Sequence, residues 1–425
     1  MDKRLGFHYF QDANHYQMKD LSLWLPELTA LNASWVVLKS LATQAIPEDF
    51  IVNLSRAGIE PIIDFDLQIN GQVRSVDLQL LLNTYAKWGA KYVLFFRSPN
   101  MRSSWSDGTW SQGDLVERFL DRYLPFVRMA ERSGLTPIFP ALEPGGDYWD
   151  LSFLKRFLQL LQHRKSAGFA SNLHLAVSAQ TFSKPLSWGA GGSERWKTPL
   201  PYSKCEIGEE DHIGFNTWEW YQEMVRSTLH ITPKLFLLWF GSSKYRENAL
   251  DPSISFDQLV PIINGSQNQS SPAIRLPENV KACICWMLAS NDTEGLGKTA
   301  WFDENGNPKA PTTAEYKNRV EENRKHKSEY AIADQVANWM YPIDHYLLLP
   351  SYEWGVPENT FDRVRPIIRD SKPTIGFSIF EAINARKVTI WNENSAFSQQ
   401  DIDMLREAGC VIDEQVVKSI SLDTY

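Results

Sequence analysis

Lys91 to Asn100 read KYVLFFRSPN, a β-branched and aromatic run that stops abruptly at Arg-Ser-Pro-Asn, just ahead of the tryptophan-rich RSSWSDGTW of Arg102 to Trp110. An unbroken apolar run of this kind suits a strand covered on both faces. A buried strand therefore opens onto an aromatic surface, and that junction is where a functional site is expected.

Working outward, strand-like runs recur at Leu5 to Phe10, Trp35 to Ser40, Glu60 to Asp66, Lys91 to Arg97, Thr136 to Leu142, Leu173 to Ala179, Lys234 to Phe240 and Ala282 to Leu288. Between them lie segments of helical period at Leu21 to Leu31, Pro47 to Ala57, Ser75 to Trp88, Leu115 to Ser133, Leu151 to His163, Thr217 to Leu229 and Phe256 to Asn264. Strands alternating with helices imply a parallel sheet with crossover connections, and eight strands suit a closed TIM (β/α)8 barrel. The alternative is an open doubly wound sheet; no dinucleotide fingerprint follows the first strand to support it.

A Gly, Pro and Asn-rich stretch, DENGNPKAPTT at Asp303 to Thr313, leads out of this repeat. The expected organisation is a barrel over residues 1–313, a charged linker helix over 314–340 containing KNRVEENRKHK, and a small three-layer α/β domain over 341–425. In that tail, strands are expected at Tyr346 to Leu349, Thr374 to Phe377, Lys387 to Trp391 and Cys410 to Asp413. Ser398 and Asp401 form a variant capping box, and Gly409 closes the helix that they open.

The 425 residues are 43% apolar, enough for a large core, and the net charge of −8 lacks the basic surface that phosphates demand. Nucleic acid is excluded as an expected partner. Four cysteines make no disulfide framework, and Cys283 and Cys285, two apart on one strand face, read as core packing; no metal site and no cofactor are expected. No run of about 18 apolar residues is present, so no membrane span is expected. Read as written, the chain begins MDKRLGFHYF without an apolar leader and belongs in the cytoplasm; trimmed of a leader, it would be extracellular.

In a barrel of this kind chemistry gathers at the C-terminal strand ends. Those ends carry His8 and Asp12, Lys39, Asp64 and Asp66, Ser98 and Asn100, Glu143 and Asp147, Ser178 and Gln180, Trp239 and Phe240, and Trp286.

Lys91 to Trp105, the helix-like Asp114 to Ser133, the strand Leu135 to Leu142 and the turn EPGGDYWD together resemble the middle of a clan-A glycoside hydrolase barrel. The resemblance covers roughly residues 5–310. It implies a general acid/base on the fourth strand, within Asn-Glu-Pro, and a nucleophile on the seventh. Here Arg97-Ser98-Pro99 stands in place of the first motif. Aligning KLFLLWFGSS on Gly241 puts Phe240 at the nucleophile position. Where the family often carries a His and a Tyr on strand six, this chain has Ser178, Ala179 and Gln180. A serine hydroxyl is no general acid near neutral pH, and Phe240 has no lone pair to attack with. The tail resembles flavodoxin-like accessory domains of glycosidases, and Val388 to Val411 resembles cell-wall-binding repeats.

The resemblance implies oligosaccharide or polysaccharide as the partner, because aromatic faces stack on sugar C–H surfaces and amides or carboxylates read hydroxyls. Candidate binding residues are Asp64, Asp66, Asn100, Trp105, Trp110, Asp147, Trp149, Gln180, Trp188, Trp239 and Trp286, with the loop Pro185 to Trp196 over the mouth. The expected function is a catalytically inactive barrel that binds carbohydrate or serves as a scaffold for a protein partner. The alternative is an active glycosidase using Glu143 with another strand-end carboxylate such as Asp64, Asp66, Asp147 or Glu219.

Overall fold

A computed structural model describes residues 4–106, 108–164, 167–182, 184, 186, 212–241, 276–292, 300–309, 313–314, 316–318, 320–322, 341–352, 355–356 and 358–417. The expected helix at Phe256 to Asn264, the loop around Trp188 and Trp196, and 323–340 of the expected linker lie outside them.

Eight parallel strands form the first sheet: β1 (Leu5–His8), β2 (Trp35–Lys39), β3 (Glu60–Phe65), β4 (Tyr92–Phe95), β5 (Thr136–Ile138), β6 (His174–Gln180), β7 (Lys234–Gly241) and β8 (Val280–Cys285). Their order is β5-β4-β3-β2-β1-β8-β7-β6. The circle closes at Phe139, whose N–H donates to the His174 carbonyl at 2.8 Å and whose carbonyl accepts from the Ala176 N–H at 2.9 Å. The expected (β/α)8 barrel is the fold, and the open doubly wound sheet is ruled out.

Period-two alternation explains the two cores. Val37, Ile62, Leu94, Ile138, Phe236 and Ile284 fill the barrel interior, while the residues between them, such as Leu38, Ile63, Phe65, Val93 and Phe95, pack outward. The outer layer is met by helices including Met18–Ala30, Glu48–Arg56, Ser75–Lys87, Leu115–Arg132, Asp150–His163 and Thr217–Leu229. On β1 the interior position is Gly6. A Cβ there would lie 2.5 Å from Ile284 Cδ1, 2.6 Å from Trp35 Cβ and 2.8 Å from the Trp35 carbonyl oxygen, so its neighbours already occupy the space. Gly6→Ala is expected to destabilise the protein by about 1–3 kcal/mol through overpacking, read as a lower denaturant midpoint; an unchanged midpoint would show that the barrel floor is looser than this.

By its internal contacts the chain divides into Met1–Val320 and Glu321–Tyr425. Tyr316 and Val320 are buried in the barrel's outer core, so the first unit runs past residue 313. The second unit has a four-stranded parallel sheet, β9 (Ile343–Leu348), β10 (Thr374–Gly376), β11 (Ala385–Glu393) and β12 (Val411–Val417), in the order β10-β9-β11-β12. Ile402 and Leu405 pack with Val388 and Ile390, and Val364 packs with Leu347 and Trp391 in a separate cluster. Strand alternation puts these clusters on opposite faces, giving the expected three layers. The capping box is present: Asp401 N–H donates to Ser398 Oγ at 3.2 Å, and Ser398 N–H to Asp401 Oδ2 at 2.8 Å.

Candidate functional site

At the C-terminal mouth of the barrel, His8, Lys39, Asp64, Arg97, Trp239 and Trp286 converge. Asp64 shares a strand face with the interior residue Ile62, which places its carboxyl on the inner side of β3. Arg97 arrives there by a break in strand parity. Phe96 has φ +67° and turns its ring outward onto Phe126, 5.1 Å between centroids, and the next side chain swings over the mouth. The Arg97 guanidinium lies 4.7 Å from the Trp239 ring centroid and 5.8 Å from that of Trp286. The two indoles stack at 4.4 Å, with His8 5.1 Å from one and 4.7 Å from the other. This packing leaves about 30 Å³ open, room for little more than water. The buried Trp286 Nε1–H has no hydrogen-bond partner among the described residues.

Three titratable groups share this mouth. His8 Nε2 lies 2.6 Å from the Leu238 carbonyl, which can only accept, so Nε2 carries a proton. Burial pushes the His8 imidazole down to about 3; the Leu238 carbonyl opposes this, and the Arg97 and Lys39 cations add to it. Lys39 Nζ donates to Asp66 Oδ2 at 2.8 Å. Asp64 is pushed up to about 6 by burial, against the pull of Lys39 and with the Asp66 charge adding to the rise.

A carboxyl with a raised folded-state pKa costs stability as pH rises through roughly 4 to 6, where the unfolded chain ionises more readily. Asp64→Asn is therefore expected to raise stability by about 1–2 kcal/mol at pH 8, discounted for partial solvent exposure, and to give no gain below about pH 4. Thermal melts at the two pH values check this. An equal loss at both would show that the carboxyl is not held against ionisation.

The positions aligned with the catalytic pair sit differently from each other. Ser98, with φ +38°, is half-buried at the end of β4, and its carbonyl accepts from Ser104 Oγ at 2.9 Å. Phe240 does not face the mouth: its ring packs edge-on to Phe215 at 5.5 Å, within the layer between strands and helices. The β7–β8 register shifts between Leu237 and Phe240, and Trp239 takes the mouth-facing place. The position given by the alignment on Gly241 thus faces the helices, and its neighbour faces the mouth.

Glu143 stands on the turn after β5. Its carbonyl accepts the Gly146 N–H at 3.0 Å, closing a tight turn through Pro144 and Gly145, the latter at φ +66°. The side chain is exposed at the rim with no hydrogen-bond partner among the described residues. Surrounding atoms push its carboxyl above the ordinary range, Arg97 pulls it back, and Asp150 adds to the rise.

Asn100 and Trp105 are not ligand-facing. Asn100 is fully buried: Nδ2 donates to the carbonyls of Glu143 (2.8 Å) and Tyr148 (3.0 Å), and Oδ1 accepts the Glu143 N–H at 2.9 Å. Its amide ties the loop after β4 to the loop after β5. Trp105 is 5% exposed, with Nε1 donating to the Pro99 carbonyl at 2.8 Å. A polar or aromatic residue just past a strand end reads as surface in sequence; here the loops fold back over both.

Behind the Glu143 turn lies a buried cluster that the sequence did not reveal. Asp150 opens the helix Asp150–His163 and is fully buried. His212 Nε2 lies 3.1 Å from each carboxylate oxygen, Tyr221 Oη donates to Oδ2 at 2.7 Å, and the Gly145 N–H donates to Oδ1 at 3.0 Å. Burial alone would raise the Asp150 carboxyl; His212, Tyr221 and Gly145 more than offset it and hold it below its ordinary range. Trp149, 42% exposed, has its ring 5.4 Å from His212.

Trp110 and Asp147 line a separate cleft outside the mouth. Asp66 and Asp147 are exposed, and Gln180 is half-buried at the end of β6. Trp188 lies outside the described residues. Among the described residues no group of three or more His, Cys, Asp or Glu could hold a metal ion, and no helix is long and apolar enough to cross a membrane.

No protein-family model matches the chain, and a search of curated proteins finds no match. Several solved structures are similar at low identity. A GH128 (subgroup II) endo-β-1,3-glucanase from Sorangium cellulosum shares 14% identity at TM-score 0.39, covering 74% of this chain and 97% of that one. A β-galactosidase from the psychrophilic Marinomonas ef1 shares 8% at TM-score 0.41, covering 97% of this chain and 75% of that one. Saccharomyces cerevisiae Gas2p shares 10% at TM-score 0.39, covering 75% of this chain and 60% of that one. The barrel is established by its own strand pairing, and these similarities add nothing about activity.

Proposed function

We propose that this chain is a glycoside hydrolase-type barrel that binds carbohydrate without cleaving it. The observation that carries the absence of cleavage is the Arg97 guanidinium lying on Trp239 and Trp286 at the mouth, with Ser98 just past the end of β4 and an indole on β7. Retaining glycosidases need two carboxyl groups about 5–5.5 Å apart across the scissile bond. Neither aligned strand end offers one. Loss of a general acid typically removes about 10² to 10⁴ in rate, and a cation at the same place repels the positive charge that develops on the sugar.

Glycans of a matching linkage are expected to raise the melting temperature while their reducing ends stay unchanged. Absence of any shift across a broad glycan panel would contradict binding and leave an assembly role with a protein partner.

A second reading keeps the chain as an active glycosidase using Glu143 and Asp64. It is favoured by the Asp64 carboxyl lining the mouth beside the unpartnered Trp286 N–H, with Glu143 on the turn that follows the neighbouring strand β5. It predicts turnover that Glu143→Gln abolishes.

A further inference from the structure

We infer that the carbohydrate site of this barrel is the cleft between the loops following β4 and β5, outside the mouth, and that it takes a short neutral oligosaccharide. The inference rests on the carbohydrate-binding reading above and assigns it a place. The cleft has a volume of about 470 Å³ against about 30 Å³ at the mouth, and its walls include Trp110, Asp114, Glu117, Asp147, Tyr148 and Arg156. That volume falls in the range of small-ligand sites, and the mouth does not.

The walls are fixed before any ligand arrives. Asp114, with φ +56°, turns the chain into the helix Leu115–Arg132. One turn on, the Arg118 guanidinium holds the carbonyls of Gln112 (2.8 Å) and Gly113 (2.9 Å). Asp147 Oδ2 accepts the Arg102 N–H at 2.8 Å, and the Tyr148 N–H donates to the Asn100 carbonyl at 2.9 Å. Trp110 meets Trp105 edge-on at 6.4 Å, and Tyr148 meets Phe153 edge-on at 5.8 Å. Binding therefore requires little ordering of the site, which favours affinity.

The chemistry left over suits sugar. Trp110 is half-buried and Tyr148 half-exposed, giving aromatic surface for C–H faces. The Arg156 guanidinium and the Asp114 carboxylate have no hydrogen-bond or ion-pair partner among the described residues, so both are available to hydroxyls. Glu117 is paired with Arg164 at 2.8 Å and serves as wall. With Glu117 compensated by Arg164, Asp114 and Asp147 still outnumber Arg156, which disfavours uronic or sulfated sugars.

The test is titration calorimetry of the full chain with β-linked gluco-, xylo-, manno- and galacto-trisaccharides and one uronic trisaccharide. At least one neutral trisaccharide is expected to bind and the uronic one to bind more weakly. Trp110→Ala and Arg156→Ala should each weaken binding about tenfold or more, while Arg97→Ala leaves it within about twofold. Because Trp110 also touches the core, the surface change Asp114→Asn serves as a third probe, with a loss expected in the same direction. Binding lost in Trp239→Ala but retained in Arg156→Ala and Asp114→Asn would place the sugar at the mouth, overturning this inference and leaving the carbohydrate-binding reading intact. No binding of any trisaccharide would overturn both.

Discussion

Asp150→Ala is expected to lower stability by about 3–5 kcal/mol, the cost of leaving a buried partner uncompensated, read from the denaturant midpoint at neutral pH. Three groups lean on that carboxylate: His212, Tyr221 and the Gly145 N–H. All are buried or locked into the turn that carries Glu143, so little water can replace what is lost. Asp150→Asn keeps an acceptor for Tyr221 and should cost less. The pH dependence has a definite sign. A carboxyl whose folded-state pKa is depressed contributes stability above its unfolded value near 4, and that contribution fades as pH falls below it. The gap between wild type and Asp150→Ala should therefore narrow only in strong acid. A gap that narrows already at pH 6 would show that the cluster is held by something other than the Asp150 charge.

The second large effect is at Asn100. Asn100→Ala removes three buried hydrogen bonds at once and leaves the Glu143 N–H without its acceptor, a loss of about 2–4 kcal/mol. The damage reaches function too, because the same amide fixes Tyr148 on the wall of the proposed cleft and Glu143 on the rim of the mouth. Glycan affinity should fall together with stability. Retained affinity at unchanged melting temperature would mean that the two loops are held independently.

The barrel was legible because its strands obey one rule. In EPIIDF, Ile62 and Asp64 face inward while Ile63 and Phe65 face the helices, and the same alternation holds across β2 and β4. The site was legible only where that rule continued to the strand end, as at Asp64. It failed where the backbone left strand geometry. The positive φ of Phe96 sent Arg97 over the mouth, and the register shift on β7 turned Phe240 toward the helices while Trp239, already a candidate, kept the mouth. Neither event has a local signature, since Phe96 and Trp239 both continue apolar, strand-like runs in the sequence. The Asp150 cluster was hidden for another reason: its partners lie 62 and 71 residues away, joined only by the closed barrel. Asn100 and Trp105 show the converse error, in which residue type suggested a surface and the folded loops made a core.

We propose above that the mouth performs no hydrolysis. The most direct test of this follows released reducing ends over a long incubation of the purified protein with a broad panel of oligosaccharides and aryl glycosides, alongside Glu143→Gln. The account predicts no release above the protein-free blank from any substrate, with wild type and variant alike. Sustained release by the wild type that disappears in Glu143→Gln would contradict it and make Glu143 the acid of a working glycosidase.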